Sequence, residues 1–200
     1  MKKLLTKLMI LCLAIGCVRV QQTAAALSEL EHGIIRLHIT ADSDSLADQT
    51  QKLIVRDAIL QHPFSWESAE DCCAVLEQQL PEIERISKEA LAKAGSDASV
   101  RAELTEEDFP ARQYGEITLP AGTYRALRVT LGSGSGQNWW CVMYPGMCLP
   151  AASAQTVLSS HFAAETCALT ASPEHYEIRL KCVDLIRSVW RKVQALFANS

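Results

Sequence analysis

The segment over residues 132–148 constrains the fold more than any other part of this 200-residue chain. It joins a run of alternating glycine and serine to two adjacent tryptophans, and Cys141 and Cys148 then bracket a Pro145-Gly146 turn. Adjacent tryptophans need apolar burial, and in a regular helix or strand they point in different directions. The cysteine spacing fits a short loop closed by a disulfide. The plainest interpretation is a stapled surface loop whose tryptophans fill a gap in the core.

The N-terminus has the three parts of a secretory signal peptide. Lysines precede an apolar run over residues 8–18, and Ala24-Ala25-Ala26 then supplies a cleavage site of small residues. Such a run rises only about 16 Å as a helix, well short of the roughly 20 residues that span a bilayer. We therefore expect residues 1–26 to be a signal peptide, cleaved after Ala26. Joined to the leucines before it, the run would also serve as an uncleaved anchor, and this alternative stays open.

Removal of the leader leaves one domain over residues 27–200, with 15 basic and 23 acidic residues and a net charge of −8. This negative charge argues against a nucleic-acid partner. Six cysteines remain, an even number that suggests disulfides in an exported chain. The pairing of Cys72, Cys73, Cys167 and Cys182 stays open. Adjacent Cys72 and Cys73 lie in a helical pattern and cannot easily bond each other.

Apolar and polar residues alternate over residues 34–40, 99–105 and 124–131, as they do in strands with one buried face. Residues 109–115 are too irregular for a regular element, and a turn at residues 120–122 follows them. Two sequential strands around a loop favour an antiparallel hairpin. We therefore predict an α+β fold with a small mixed or antiparallel sheet packed against several helices, a disulfide-stapled loop and a C-terminal amphipathic helix.

Helices are predicted over residues 46–61, 66–94, 153–164 and 174–197. The first should bury Leu53, Ile54 and Ile59, and Pro81 should kink the second or begin a new helix there. The last is both basic and amphipathic. We expect it to pack against the domain, although contact with a membrane surface or a partner is the other interpretation.

His38 with Asp42, Asp44 and Asp48 is the strongest candidate for chemistry, since imidazole and carboxylates bind metals and relay protons. Their spacing matches no familiar ligand pattern, and aspartates also favour a helix N-terminus. The chain has no G-x-S-x-G elbow, no phosphate-loop lysine after its glycine run and no C-x-x-C motif. We therefore predict no catalytic residue, metal or cofactor, and a binding or signalling protein fits better.

Two blocks of the sequence, in this order, resemble one family. The first block is IIRLHITADSDSLADQTQKLIVRDAIL, and the second is QYGEITLPAGTYRALRVTLGSGSGQNWWCVMYPGMC. They resemble the stage II sporulation protein R family. With the leader and the basic C-terminal helix, the resemblance spans most of the chain.

The resemblance implies an exported signalling protein rather than an enzyme. Members of this family are made in the forespore, pass into the space between the two membranes, and activate a membrane-embedded aspartic protease. That protease removes the pro-sequence of a sigma factor in the mother cell. The expected partner contacts are Asn138, Trp139, Trp140, Tyr144, Arg36, His38, Asp42 and Asp44.

Two alternatives from other classes stay open. One is an exported metal-dependent hydrolase that uses His38, Asp42 and Asp44. The other is a structural protein of the cell envelope, which would need an interaction surface but no stage-specific signal.

Overall fold

The computed structural model describes residues 2–146 and 153–198. These residues form six α-helices and six strands. In chain order the elements are α1 (Lys2–Gly33), β1 (Ile35–Thr40), α2 (Leu46–Gln61), α3 (Ala69–Lys93), β2 (Val100–Phe109), β3 (Arg112–Tyr114), β4 (Ile117–Leu119), β5 (Gly122–Leu131), β6 (Asn138–Tyr144), α4 (Ala154–His161), α5 (Ala164–Ala171), a 3-10 turn (Pro173–Tyr176) and α6 (Glu177–Ala198).

The main sheet has four strands in the order β2-β5-β1-β6. Strand β1 pairs parallel to β5 and antiparallel to β6, whereas β2 and β5 are antiparallel. The sheet is therefore mixed, and helices cover it, which confirms the predicted α+β class. Strands β3 and β4 form a separate two-stranded hairpin between β2 and β5.

Two strand predictions were wrong. Residues 109–115 are not irregular, because β2 extends to Phe109 opposite Gly122 and Arg112 then opens β3. The segment predicted as a stapled loop contains a full strand, β6, which pairs with β1 on the side opposite β5. The partner of β6, β1, lies far away in sequence, so the pairing that orders β6 is absent from its local pattern. Residues 112–114 instead pair with the nearby residues 117–119, a hairpin whose strands are too short to show a clear alternation of apolar and polar residues.

Helix α2 has the predicted bounds. The Ser45 hydroxyl caps it by accepting a 3.1 Å hydrogen bond from the Asp48 backbone N–H, and the helix ends before His62-Pro63. Its buried residues are Lys52, Val55 and Ile59. Burial of Ile59 is confirmed, but Leu53 is exposed and Ile54 is only half-buried. The prediction was wrong for Leu53 and Ile54. The sheet packs against the face of α2 that carries residues 52, 55 and 59, which follow one another at intervals of one helical turn.

Helix α3 is one continuous element through Pro81, so no new helix begins at that residue. Ser68 caps its start by accepting a 3.0 Å hydrogen bond from the Asp71 backbone N–H. At its end Gly95 adopts a φ of 78°, and its N–H donates to the Ala92 carbonyl oxygen. Glycine takes this left-handed conformation without strain, so Gly95 forms the C-terminal cap of the helix.

The two faces of the main sheet carry separate apolar cores. On one face α2 and α3 cover the whole sheet, with the buried residues Ile35, Leu37, Ile39, Val55, Leu76, Ile83, Leu127, Val129 and Met143. On the other face α1, α4, α5 and α6 cover one end, with the buried residues Leu27, Leu30, Phe109, Tyr124, Ala126, Val142, Leu158, Leu169 and Val183. The helices leave the remaining end of this second face to polar side chains.

Helix α1 passes without a break through the predicted cleavage site. Ala26, Leu27 and Leu30 are buried in the core, whereas the large apolar side chains from Leu4 to Val18 are exposed. Among the described residues, α1 is the one helix long and apolar enough to cross a membrane, which fits either a signal sequence or an anchor. Cleavage after Ala26 stays a prediction, and N-terminal sequencing of exported protein tests it.

Candidate functional site

The uncovered end of the second sheet face carries a group of polar side chains that we call the polar face. Because side chains alternate along a strand, every second residue of four adjacent strands projects here. A cavity of about 500 Å³ lies over part of it. Its members are His38, Thr40, Glu103, Glu107, Arg128 and Asn138.

These side chains form a connected hydrogen-bond network. The His38 ring contacts the Glu107 carboxylate through Nδ1 at 3.0 Å and the Asn138 side-chain oxygen through Nε2 at 2.8 Å. Thr40 donates a 3.0 Å hydrogen bond to the same oxygen of Asn138. Arg128 donates two hydrogen bonds, of 3.0 and 2.8 Å, to Glu103. The network holds the side chains of the polar face in one geometry.

The ion pair within this network changes the titration of one carboxyl group. The Arg128 guanidinium donates hydrogen bonds to Glu103 and holds the pKa of that carboxyl below its usual value. The same guanidinium lies 3.8 Å from the Glu107 carboxylate. The polar face therefore alternates acidic and basic groups rather than presenting one charge.

His38 is poorly placed for metal or acid-base chemistry. Both of its ring nitrogens face oxygen atoms of other side chains, so neither nitrogen is directed at an open position. Throughout residues 2–146 and 153–198, no three His, Cys, Asp or Glu side chains are grouped to hold a metal ion. The groups of this face carry hydrogen-bond donors, hydrogen-bond acceptors and charges of both signs.

Trp139 and Trp140 lie on opposite faces of β6, as expected for adjacent residues of a strand. Trp140 is half-buried beside the polar face, with its ring centroid 5.9 Å from that of His38, and the Arg112 guanidinium lies 4.2 Å above it. Trp139 packs against the α2/α3 core with the Arg56 guanidinium 4.4 Å from its ring. Only Trp140 therefore borders the polar face.

Arg36 is fully buried at the boundary between the polar face and the core. Its guanidinium lies 4.1 Å from the Phe109 ring centroid and donates a 2.7 Å hydrogen bond to the Tyr114 hydroxyl. Burial lowers its pKa. Its Nε and Nη1 atoms have no hydrogen-bond partner among the described residues. Arg36 thus fixes the β3–β4 hairpin to the sheet, and no carboxylate of the described residues pairs with it.

Asp42 and Asp44 connect the β1–α2 loop to the glycine-rich β5–β6 loop. The Ser133 backbone N–H donates to the Asp42 carboxylate, which keeps the pKa of that group below its usual value. The Gln137 backbone N–H donates a 2.8 Å hydrogen bond to Asp44. A Cβ at Gly132, whose φ is 54°, would collide with the Asp42 carboxylate. The Asp42 and Asp44 carboxylates therefore accept hydrogen bonds from backbone groups of the β5–β6 loop, which differ from the groups that His38 contacts.

Cys141 and Tyr144 lie in the second half of β6, Cys72 lies in α3, and Cys167 lies in α5. Tyr144 is half-buried, and its hydroxyl donates a weak 3.4 Å hydrogen bond to the Glu67 carbonyl oxygen. Cys141 is buried and is not among the free cysteines of the described residues. Cys148 lies outside the described residues, so the Cys141–Cys148 disulfide stays a prediction. Cys72 and Cys167 are buried free thiols, and burial raises the pKa of Cys72 to about 12.

The structure brings together only part of the predicted site. His38, Asn138 and Trp140 lie side by side, whereas Trp139 and Tyr144 belong to other surroundings. Sequence reasoning missed the charged members of the site: Glu103, Glu107, Arg112 and Arg128. The one available signal was the abundance of acidic residues over 103–108, ahead of a strand that carries Arg125 and Arg128.

Comparison with known proteins gives the polar face its context. A family model described as stage II sporulation protein R matches residues 31–154, which is more than half of the chain. This chain belongs to the stage II sporulation protein R family. This membership gives the chain a role in stage II of sporulation. All members of the polar face lie inside the matched residues.

The stage II sporulation protein R of Bacillus subtilis (strain 168) is 42% identical to this chain over 118 residues. The aligned part covers 57% of this chain and 53% of that protein, so the similarity spans about half the length of the curated relative. No solved structure matches the chain significantly.

Proposed function

We propose that this chain is an exported signal between the two compartments of a sporulating cell. It activates a membrane-embedded aspartic protease, and that protease then processes a pro-sigma factor in the mother cell. Family membership supports this proposal. In this account the catalytic groups belong to the protease, and the chain supplies only a binding surface.

The observation that carries the proposal is the network around His38. Every polar member of this face is held by a neighbour. The side chains of Arg128 and Glu103 are 37% and 31% exposed, and Asn138 is exposed. Those of His38 and Glu107 are only 12% and 18% exposed, so a partner would meet the rim of the network first. A surface held in its binding shape loses little conformational entropy on contact, which favours affinity. Trp140 and Arg112 at its edge are of the residue types that most often anchor protein interfaces.

The direct experiment is reconstitution in a bacterium that does not sporulate. The candidate protease and its pro-sigma substrate are produced there with and without this chain, which carries its own leader for export. We expect the processed sigma factor to accumulate only when the chain is present and the protease retains its catalytic aspartates. Processing at an equal rate without the chain would contradict the proposal.

A control separates activation from export. A leader-deleted chain, retained inside the same cell as the substrate, should not support processing if the signal acts from outside. Processing by this internal form would contradict the exported location while leaving activation itself intact.

A further inference from the structure

Helix α6 has apolar side chains on two opposite sides. On the inner side Val183 is buried in the core, and Arg187 on the same side binds Glu31 of α1. On the other side, residues at helical spacing remain between 52% and 80% exposed. We call this set the outer face of α6, and its members are Ile178, Leu185, Ile186 and Val189. Trp190 lies at the edge of this face, one helical turn after Ile186, and it also lines a cavity with Arg187 and Glu31. Soluble surfaces rarely leave so many large apolar side chains contiguous unless something covers them.

The outer face continues onto the exposed half of α1. Cys182 and Ile186 of α6 form one apolar groove with Met9, Leu13 and Val20 of α1. The same half of α1 carries the stretch long and apolar enough to cross a membrane. Whatever surrounds this half of α1 therefore also reaches the outer face of α6.

Charge distinguishes among the possible occupants. Between Ile178 and Lys192, α6 carries five basic residues and one acidic residue, although the whole chain has a net charge of −4. Lys181 and Lys192 are exposed and lie one helical turn from Leu185 and Val189. A helix with an apolar face and flanking lysines is typical of segments that lie in the interface of an anionic bilayer. A second copy of the same basic helix would instead meet like charges.

We propose that, in the chain whose leader is still attached, the outer face of α6 lies on the surface of an anionic bilayer, the same one that receives α1. The apolar side chains enter the boundary between headgroups and acyl chains, and the lysines meet the lipid phosphates. This contact is separate from the polar face, which lies on the sheet and would remain free for a protein partner.

Trp190 reports on this contact, because it is exposed at the edge of the outer face, next to Ile186, and α1 contains no tryptophan. The full chain is reconstituted into vesicles of phosphatidylcholine and phosphatidylglycerol, with bromine on the upper acyl carbons of a fraction of the lipid. The fluorescence difference between the wild type and Trp190→Phe isolates the signal of Trp190. We expect the brominated lipid to quench this difference signal and aqueous iodide to lose access to it.

Two substitutions of equal charge test the face itself. Val189→Glu places a carboxylate on the outer face, whereas Ser188→Glu places one on its flank. We expect loss of quenching in Val189→Glu and retention in Ser188→Glu, with both variants still in the vesicle pellet and with unchanged circular dichroism.

Three outcomes would overturn the proposal. The first is an iodide accessibility of Trp190 that vesicles do not change. The second is equal quenching in phosphatidylcholine alone, which would remove the role of anionic lipid. The third is protection of Trp190 that grows only with the ratio of protein to lipid, which would assign the face to a second copy of the chain.

Discussion

Arg187 on α6 donates two hydrogen bonds of 2.9 Å to the Glu31 carboxylate on α1. Glu31 is almost completely buried, while Arg187 is partly exposed. The Glu31 carboxylate raises the pKa of the Arg187 guanidinium. This bidentate pair joins the first and last helices of the chain, so the C-terminal helix is tied to the segment in which the family match begins.

The pair should contribute measurably to stability. We expect Glu31→Gln and Arg187→Met to show a coupling of about 1 kcal/mol in a double-mutant cycle, since partial exposure of the arginine screens the pair. The free energy of unfolding in urea measures it. Arg191→Met, which alters an exposed arginine one turn later on α6, is the control and should change little. A coupling within error would show that α6 is not held in this way.

The hydroxyl of Tyr114 should matter more than that of Tyr144. Tyr114→Phe removes the hydrogen bond to the buried Arg36 guanidinium, and bonds to charged groups contribute about 1.5–3 kcal/mol. Tyr144→Phe removes only a long bond to a carbonyl oxygen and should change stability by less than about 0.5 kcal/mol. Thermal melts of both variants compare them. Equal shifts would contradict the assigned role of Arg36.

Acid should destabilise the chain through Glu103. Its folded pKa is depressed by Arg128, so the stability it contributes is present above the unfolded pKa of about 4.3 and is lost as the pH falls through the folded pKa. The depressed pKa of Asp42 acts in the same direction. We therefore expect the free energy of unfolding to fall between pH 5 and pH 3.

Glu103→Gln tests this assignment. The variant should lose about 0.5–1 kcal/mol at pH 5 and should show a smaller decrease towards pH 3. Glu106→Gln, on the opposite face of the same strand, is the matched control. An unchanged pH dependence in Glu103→Gln would assign the acid sensitivity to other carboxyl groups.

The two tryptophans should separate folding from activation. Trp139 packs against the α2/α3 core, so Trp139→Ala should lower the free energy of unfolding by about 2–4 kcal/mol. This is somewhat less than for a fully buried tryptophan, because Trp139 is only partly buried. The activity of this variant should fall only as far as the folded fraction falls. Trp140→Ala should instead reduce protease activation at temperatures where melts show the variant to be folded. Normal activation by a folded Trp140→Ala variant would place the interface elsewhere.

The sequence predicted well those elements whose pattern and end signals lie within the element or next to it. Strand β1 alternates cleanly, and α2 is bounded by Ser45 and by Pro63, so both were predicted within about one residue. The burial of Leu53 was predicted wrongly, because the rotation of a helix about its axis is decided by the surface it packs on. Strand β6 was missed for the related reason that its partner, β1, lies about 100 residues earlier.

The candidate site was predictable only in part for the same physical reason. His38 and Asn138 were singled out from two separate sequence blocks, and the antiparallel register of β1 and β6 brings them within hydrogen-bond distance. Glu107 and Arg128 reach His38 through the pairing of β2 with β5 and of β5 with β1. A single sequence does not reveal such a register, so these residues emerged only from the structure.

The central claim is that the chain activates by binding and does not itself catalyse. The most direct test is the processed fraction of the pro-sigma factor, measured over a wide range of chain concentrations for the wild type and a folded His38→Gln variant. The account predicts a midpoint shifted to higher concentration with the same maximum, because only affinity is weakened. A lower maximum that no amount of added variant restores would contradict it and would assign His38 a role in the reaction.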